Sequence, residues 1–409
     1  MAEKKSPRFF YGYVVALAAF FILAIMEGAM YTYGVFLKPL LAEFGWTRAA
    51  ISGAFSLFMV LFGLFFVITG RLNDRFGPRI VVTVCGFFLG LGYLLMSQIN
   101  AIWQLYLFYG VIIAIGMSGG FVPLVSTVAR WFVKRRGLMT GLVVSSVGVG
   151  TVIMPPIANW LISSYGWRDS YTIIGIAALV VIVLAAQLLK RDPGQVGQLP
   201  YGESGIKEGS LNLEAIGFSL RQAIHVRQFW ILGSICLFFS FFLQAIMVHI
   251  VPHATELGIP SAIAASVLAA IGGVSIAGRI VMGGAGDKIG NRLAMSICFF
   301  IIAIVLFWLL AAKELWMLYL FATIFGFAYG GFTALESPMV AELFGLGSHG
   351  VILGCIGVGA TIGGAIGPVL AGYIFDVTGS YYQAFQICAA IAVIGFILTL
   401  FLKPIVAKA

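Results

Sequence analysis

Apolar runs of membrane-spanning length, parted by short polar turns, fill nearly the whole chain and constrain it more than any other feature. They fall at 11–37, 50–70, 80–99, 103–131, 138–163, 169–189, 228–252, 261–285, 293–312, 315–343, 349–375 and 382–402. A bilayer core is about 30 Å thick and takes about 20 apolar residues per helical crossing. It offers no water to backbone amides, so each crossing must satisfy its own hydrogen bonds as a helix. The expected fold class is an all-α membrane protein with twelve transmembrane helices. Composition agrees: the 409 residues are 61% hydrophobic and 10% charged, with a mean hydropathy of +1.06. No water-soluble domain has so little polar surface.

The charged loops set the orientation. Of the 24 Lys and Arg residues, Lys38, Arg48, Arg168 and Lys313 fall on one side, Arg279 lies inside a span, and the other nineteen share the opposite side. Both termini and the long middle segment are therefore expected in the cytoplasm, in the plasma (bacterial inner) membrane. The net charge of +9 then reflects topology, and no nucleic-acid partner is expected. The basic N-terminus leads into a full-length span without a small-residue cleavage site, so no signal peptide is expected. Five cysteines lie singly inside apolar runs, as small hydrophobes rather than disulfides or metal ligands. No nucleotide-binding loop and no hydrolytic constellation appears, so neither an enzyme nor a cofactor is expected. Energy must come from an ion or substrate gradient.

The segment 190–227 is the only long polar stretch. It divides the chain into an N-terminal bundle at 1–189 and a C-terminal bundle at 228–409, and 211–223 reads as a short amphipathic surface helix. An offset of 213 residues aligns the halves: Gly70, Asp74, Arg75, Gly77 and Arg79 fall on Gly283, Asp287, Lys288, Gly290 and Arg292, and Gly141, Gly150 and Pro155 on Gly354, Gly363 and Pro368. Eight matches at one offset mark two six-helix pseudo-symmetric bundles. The turn Gly70 to Arg79 resembles the signature of the major facilitator superfamily, between its second and third helices. That resemblance implies substrate handling between the bundles. An acid at a helix end beside basic residues suits a charge-and-dipole latch between bundles, so Asp74, Arg75, Arg79, Asp287, Lys288 and Arg292 are expected to gate.

A narrower resemblance covers Arg130, Trp131, Phe132, Lys134, Arg135, Arg136, Leu138, Gly141, Ser145, Gly148 and Gly150. This stretch is similar to the signature of the monocarboxylate transporter family, and Arg279 matches that family's arginine in the eighth helix. One turn before it, Ser275 stands where several animal members have an aspartate, and Tyr31 falls where they have a lysine. The bacterial oxalate-formate exchangers resemble the chain too, but their lysine in the eleventh helix has no counterpart here, since 354–372 holds no Lys or Arg.

The residues themselves point to an anion. Arg279 lies in the run 261–285 with no acid within a turn on its own helix. An arginine at that depth persists where it meets water, a partner or an anion, and its planar fork fits a carboxylate. The first span places Glu27, Gly28 and Tyr31 together; the tenth carries Tyr329, Phe332, Thr333 and Glu336 on one stripe. By the repeat offset, Gly119 stands opposite Phe332, leaving space across from a bulky ring. His249 sits near the outer end of the seventh span, deep enough to touch a cavity from the outer side, and histidine is a residue type suited to proton exchange. The expected substrate site is Arg279, Tyr31, Gly28, Gly119, Tyr329, Phe332 and His249, with Glu27, Glu336 or His249 as proton acceptor. The function expected is proton-coupled symport of a small monocarboxylate such as L-lactate or pyruvate, with carboxylate exchange as the alternative. Its partners are the anion, the proton and the lipid bilayer; no metal and no obligatory protein partner is expected.

Overall fold

A computed structural model describes residues 9–202 and 217–403. Among the described residues, eleven helices are long and apolar enough to cross a membrane, and the longest, of 51 residues, is two crossings joined at Gly166 with φ of 81°. The crossings are α1 (Gly12–Tyr31, continued after Thr32 by Tyr33–Phe44), α2 (Arg48–Phe76), α3 (Pro78–Met96), α4 (Ile102–Trp131), α5 (136–165) and α6 (167–186), then α7 (Arg227–Glu256), α8 (Ser261–Ile289), α9 (Asn291–Ala311), α10 (Leu315–Phe344), α11 (His349–Thr378) and α12 (Tyr382–Leu400). They form two six-helix bundles, with no strand among the described residues.

The internal repeat is written into the backbone. Gly77 and Gly290 take φ of 82° and 90° in the turns after α2 and α8, and Gly166 and Gly379 take 81° and 69° after α5 and α11. A side chain pays steric strain in that region, so glycine recurs there. Arg79 donates to Gln187 at the end of α6, and Arg292 to the Leu400 carbonyl of α12, again at equated positions. Departures from a straight helix have local causes: Pro252, Pro338 and Pro368 lie inside α7, α10 and α11, and α4 contains a π-helical segment over Tyr106–Ile113.

The middle segment is tied down at both ends. The Tyr201 N–H donates to the Trp131 carbonyl at 2.9 Å, and the Phe218 N–H to the Phe344 carbonyl at 2.8 Å, two acceptors that the repeat equates. Of the expected surface helix at 211–223, Leu220–Ala223 is helical behind a Ser219–Gln222 capping box, and 211–216 lies outside the described residues.

The bundles meet where α2 crosses α11 and α5 crosses α8. Glycines make these crossings close: a β-carbon on Gly70 would strike the Gly350 carbonyl, one on Gly137 the Gly283 carbonyl, and one on Gly141 the Arg279 carbonyl. Hydrogen bonds join the bundles at the same basic end, through Asp74, Arg130 and Asp287. Higher up the bundle, Gly272 and Gly273 of α8 and Gly34 in the continuation of α1 have nothing within 4 Å of a would-be β-carbon. The molecule is shut at its basic end.

Candidate functional site

Arg279 is 3% exposed, and among the described residues its hydrogen bonds go to three hydroxyls. Its Nη1 donates to Ser275 Oγ at 2.9 Å, its Nη2 to the Tyr329 hydroxyl at 2.9 Å, and its Nε to Thr333 Oγ1 at 3.3 Å. The guanidinium carbon also lies 5.2 Å from the centre of the Tyr329 ring, a cation–π distance. Helical spacing explains the set: Ser275 is one turn before Arg279 on α8, and Tyr329 and Thr333 are one turn apart on α10. Ser275 and Thr333 spend their own protons on the Gly272 and Gly330 carbonyls, so each turns lone pairs towards the cation. No carboxylate lies within salt-bridge distance of Arg279 among the described residues.

From the other bundle, Glu27 of α1 is buried at 8% exposure and close enough to Arg279 for their charges to interact. Tyr31, one turn on, interacts with Arg279, Tyr329 and Glu27 yet is 45% exposed, so it faces open space. Glu27, Tyr31, Arg279 and Tyr329 thus come together across the bundle interface. A buried cation with hydroxyl partners, an acid within range of its charge and an open approach can receive a carboxylate.

The remaining expected residues stand elsewhere. Gly28 packs α1 onto α5, with Met154 Cγ at 2.5 Å and the Gly150 carbonyl at 2.9 Å from a would-be β-carbon. Gly119 packs α4 onto Cys85 of α3. Phe332 is fully buried, stacked on Phe239 at 4.0 Å and edge-on to Phe299 at 5.1 Å, within the C-terminal bundle. His249 has both ring nitrogens engaged there, Nε2 with the Pro368 carbonyl at 2.9 Å and Nδ1 with the Tyr381 hydroxyl at 3.2 Å. Glu336 sits beside the Cys236 thiol of α7.

The expected gating residues divide by reach. Asp74 takes the N–H groups of Gly350 at 3.1 Å and Val351 at 2.9 Å, the first turn of α11. Asp287 takes those of Gly137 at 2.7 Å and Leu138 at 2.8 Å, the first turn of α5. Each carboxylate meets the positive end of a helix in the opposite bundle. Arg79 and Arg292 bind within their own bundles, Arg75 covers the Phe76 ring at 5.1 Å, and Lys288 is exposed. The sequence reading places Arg130 on the basic side and at the start of the transporter-like stretch, without a gating role. Here it is 1% exposed, donates to the Leu346 carbonyl of the other bundle at 2.6 Å, and lies 3.6 Å from Asp74 and 3.5 Å from Asp192. Its sequence signals are its place within one turn of the helix end, before Trp131 and Phe132, and its membership of the transporter-like stretch.

Two helical bundles with glycine crossings, helix-end latches at one end and a cation buried between them define a membrane transporter. The chain belongs to the major facilitator superfamily, whose family model matches residues 19–284 and again 231–409. It is similar to monocarboxylate transporter 13 of Bos taurus, with 27% identity over 391 residues, 94% of this chain and 88% of that one. Monocarboxylate transporter 11 of Mus musculus is 25% identical over 398 residues, 94% and 86% of the two chains. An uncharacterized transporter of the same superfamily from Escherichia coli (strain K12) is 26% identical over 341 residues, 82% of each chain. Among solved structures, the E. coli fucose:proton symporter superposes with a TM-score of 0.73 at 16% identity, over 97% of this chain and 100% of that one. A proton:xylose symporter gives 0.71 at 13% identity, over 96% of each. Both likenesses concern the fold.

Proposed function

We propose that the protein carries small monocarboxylates, of the size of L-lactate or pyruvate, together with a proton by alternating access. The observation that carries this reading is the guanidinium of Arg279, buried, held by Ser275, Tyr329 and Thr333, and without a carboxylate at salt-bridge distance among the described residues. A substrate carboxylate supplies the direct bidentate partner that the fork lacks. The names of the relatives support the substrate class. With the basic end in the cytoplasm, in a plasma (bacterial inner) membrane, the structure is the outward-facing form.

Glu27 is the proton carrier favoured by position, because it faces Arg279, whereas His249 and Glu336 are engaged within the C-terminal bundle. Empty, Arg279 and an ionised Glu27 sum to zero charge. Loaded, the substrate anion takes the guanidinium and a proton neutralises Glu27, and the sum is again zero. A site holding only one of the two carries a net charge through a low-dielectric interior, which costs several kcal/mol. That cost couples the anion to the proton. The aspartates of α2 and α8 hold the basic end shut while the site fills from the other side.

The test is uptake of labelled L-lactate into proteoliposomes with an inward proton gradient and no internal anion. Accumulation that collapses with a protonophore is expected, and uptake only after preloading with a second carboxylate would make the protein an exchanger instead. Arg279→Ala and Arg279→Lys are expected to abolish uptake while the protein stays folded, because an ammonium cannot reproduce the fork. Saturable uptake retained by a folded Arg279→Ala protein would sink the site.

A further inference from the structure

The guanidinium of Arg279 touches the opposite bundle as well as its own. A β-carbon built on Gly148 of α5 would stand 3.1 Å from Arg279 Nη1, the nitrogen that donates to Ser275, and 2.6 Å from Ile276 Cγ1. Two turns along the same face of α5, Gly141 packs directly on the Arg279 carbonyl. One residue of α8 is thus gripped by one face of α5 at both its backbone and its side chain. Ser275, Tyr329 and Thr333 belong to Arg279's own bundle and travel with it. Gly148 belongs to the other bundle and leaves when α5 and α8 part. At the equivalent crossing the pattern is reversed, with Thr361 of α11 pressed on Gly63 of α2, so the gap at Gly148 is particular to the side that holds the arginine.

We propose that Gly148 is a positioning residue for the anion: its missing side chain lets Arg279 hold its fork towards the substrate only while the basic end is closed. The proposal rests on Arg279 being the carboxylate receiver. A methyl group at 148 crowds Nη1 at 3.1 Å, shifts it by a few tenths of an ångström and weakens its bond to Ser275 in the outward-facing state. Once the helices have parted it meets nothing, and the guanidinium relaxes. The outer and inner affinities for substrate are therefore set by different neighbours of one arginine.

Because Gly148→Ala also meets Ile276, it is introduced into Ile276→Ala, which removes that aliphatic contact and serves as the reference. L-Lactate KM and kcat are measured from each side in oriented proteoliposomes. Relative to Ile276→Ala, the outer KM is expected to rise about tenfold, the loss that follows when a bond to a charged group is weakened. The inner KM is expected to stay within about twofold, a split that general damage to the fold does not produce. Equal changes on both sides, or none on either, overturn the proposal. If the double variant fails to reconstitute, Gly148→Ala alone, with Ile276 free to change rotamer, is read by the same split. Arg279→Ala run in parallel separates the two claims: lost uptake there with unaltered Gly148→Ala kinetics removes only the role of Gly148, and retained uptake removes the receiver beneath it.

Discussion

Neutralising Asp74 probes the latch where it is most buried. Its carboxylate holds the Gly350 and Val351 amides at 3.1 and 2.9 Å, lies 3.6 Å from Arg130, and is 12% exposed. Asp74→Asn keeps the shape but leaves one oxygen, so one of the two amides loses its acceptor and the start of α11 loses its counter-charge. A hydrogen bond to a charged group contributes about 1.5–3 kcal/mol, and a charge at a helix N-terminus about 0.3–1 kcal/mol. The closed basic end should therefore lose about 2–4 kcal/mol, or about 30- to 700-fold in the ratio of closed to open forms. Asp287 makes the equivalent pair of bonds at 2.7 and 2.8 Å but is exposed. Solvent screening makes its Asp287→Asn shift smaller. Spin labels at Arg71 and Leu293, exposed positions in opposite bundles near the basic end, report the separation by double electron–electron resonance. The wide-distance population should grow in Asp74→Asn and grow less in Asp287→Asn. A wild-type distance distribution in Asp74→Asn would refute the latch, and a larger shift in Asp287→Asn would refute the weighting by burial.

Ser275→Asp gives Arg279 a resident anion where a hydroxyl now accepts at 2.9 Å. L-Lactate affinity should fall about tenfold or more, because the resident carboxylate competes for the guanidinium; wild-type affinity in a folded variant would contradict this. Gly141→Ala places a methyl on the Arg279 carbonyl at the α5/α8 crossing, so a folded variant should stay open at the basic end in the same spin-label assay and lose uptake. Outside the membrane-spanning segments, the Trp167 indole at 2.6 Å and then the Arg168 guanidinium at 2.7 Å hold the Glu43 carboxyl below its ordinary range. A carboxyl held low when folded stabilises above its unfolded value of about 4.3 and ceases to as pH falls through the folded value. The Tm difference between wild type and Glu43→Gln should thus be present at neutral pH, small because the pair is exposed, and should vanish in acid.

The sequence made some of the site legible and hid the rest for a physical reason. Arg279 announces itself because a charge inside an apolar run is costly wherever the run folds. Tyr329 follows from the stripe on α10, and Thr333 lay on that stripe without being singled out. Phe332 shares that helix, yet its ring enters the aromatic packing of Phe239 and Phe299, on a side that helical periodicity cannot tell from the cavity side. Gly119 reads as open space opposite a bulky ring and Gly28 as part of the substrate site, and both instead admit neighbouring helices. An absent side chain looks the same in sequence whichever object fills the gap.

Arg130 marks the same boundary from the other direction, since a place near a loop and in a transporter-like stretch does not say what the side chain binds. Its burial arises from the Leu346 carbonyl and from Asp74 and Asp192, all far along the chain. The sequence by itself determined the helices, the repeat, the glycines of the turns and the presence of one buried cation, because these follow from solvation and backbone sterics within a single segment. Only the tertiary structure decided that the aspartates meet helix ends in the opposite bundle, that hydroxyls rather than an acid hold Arg279, and that the molecule is shut at its basic end. Those facts depend on where helices separated by hundreds of residues cross, and the apolar pattern of any one helix is compatible with many neighbours.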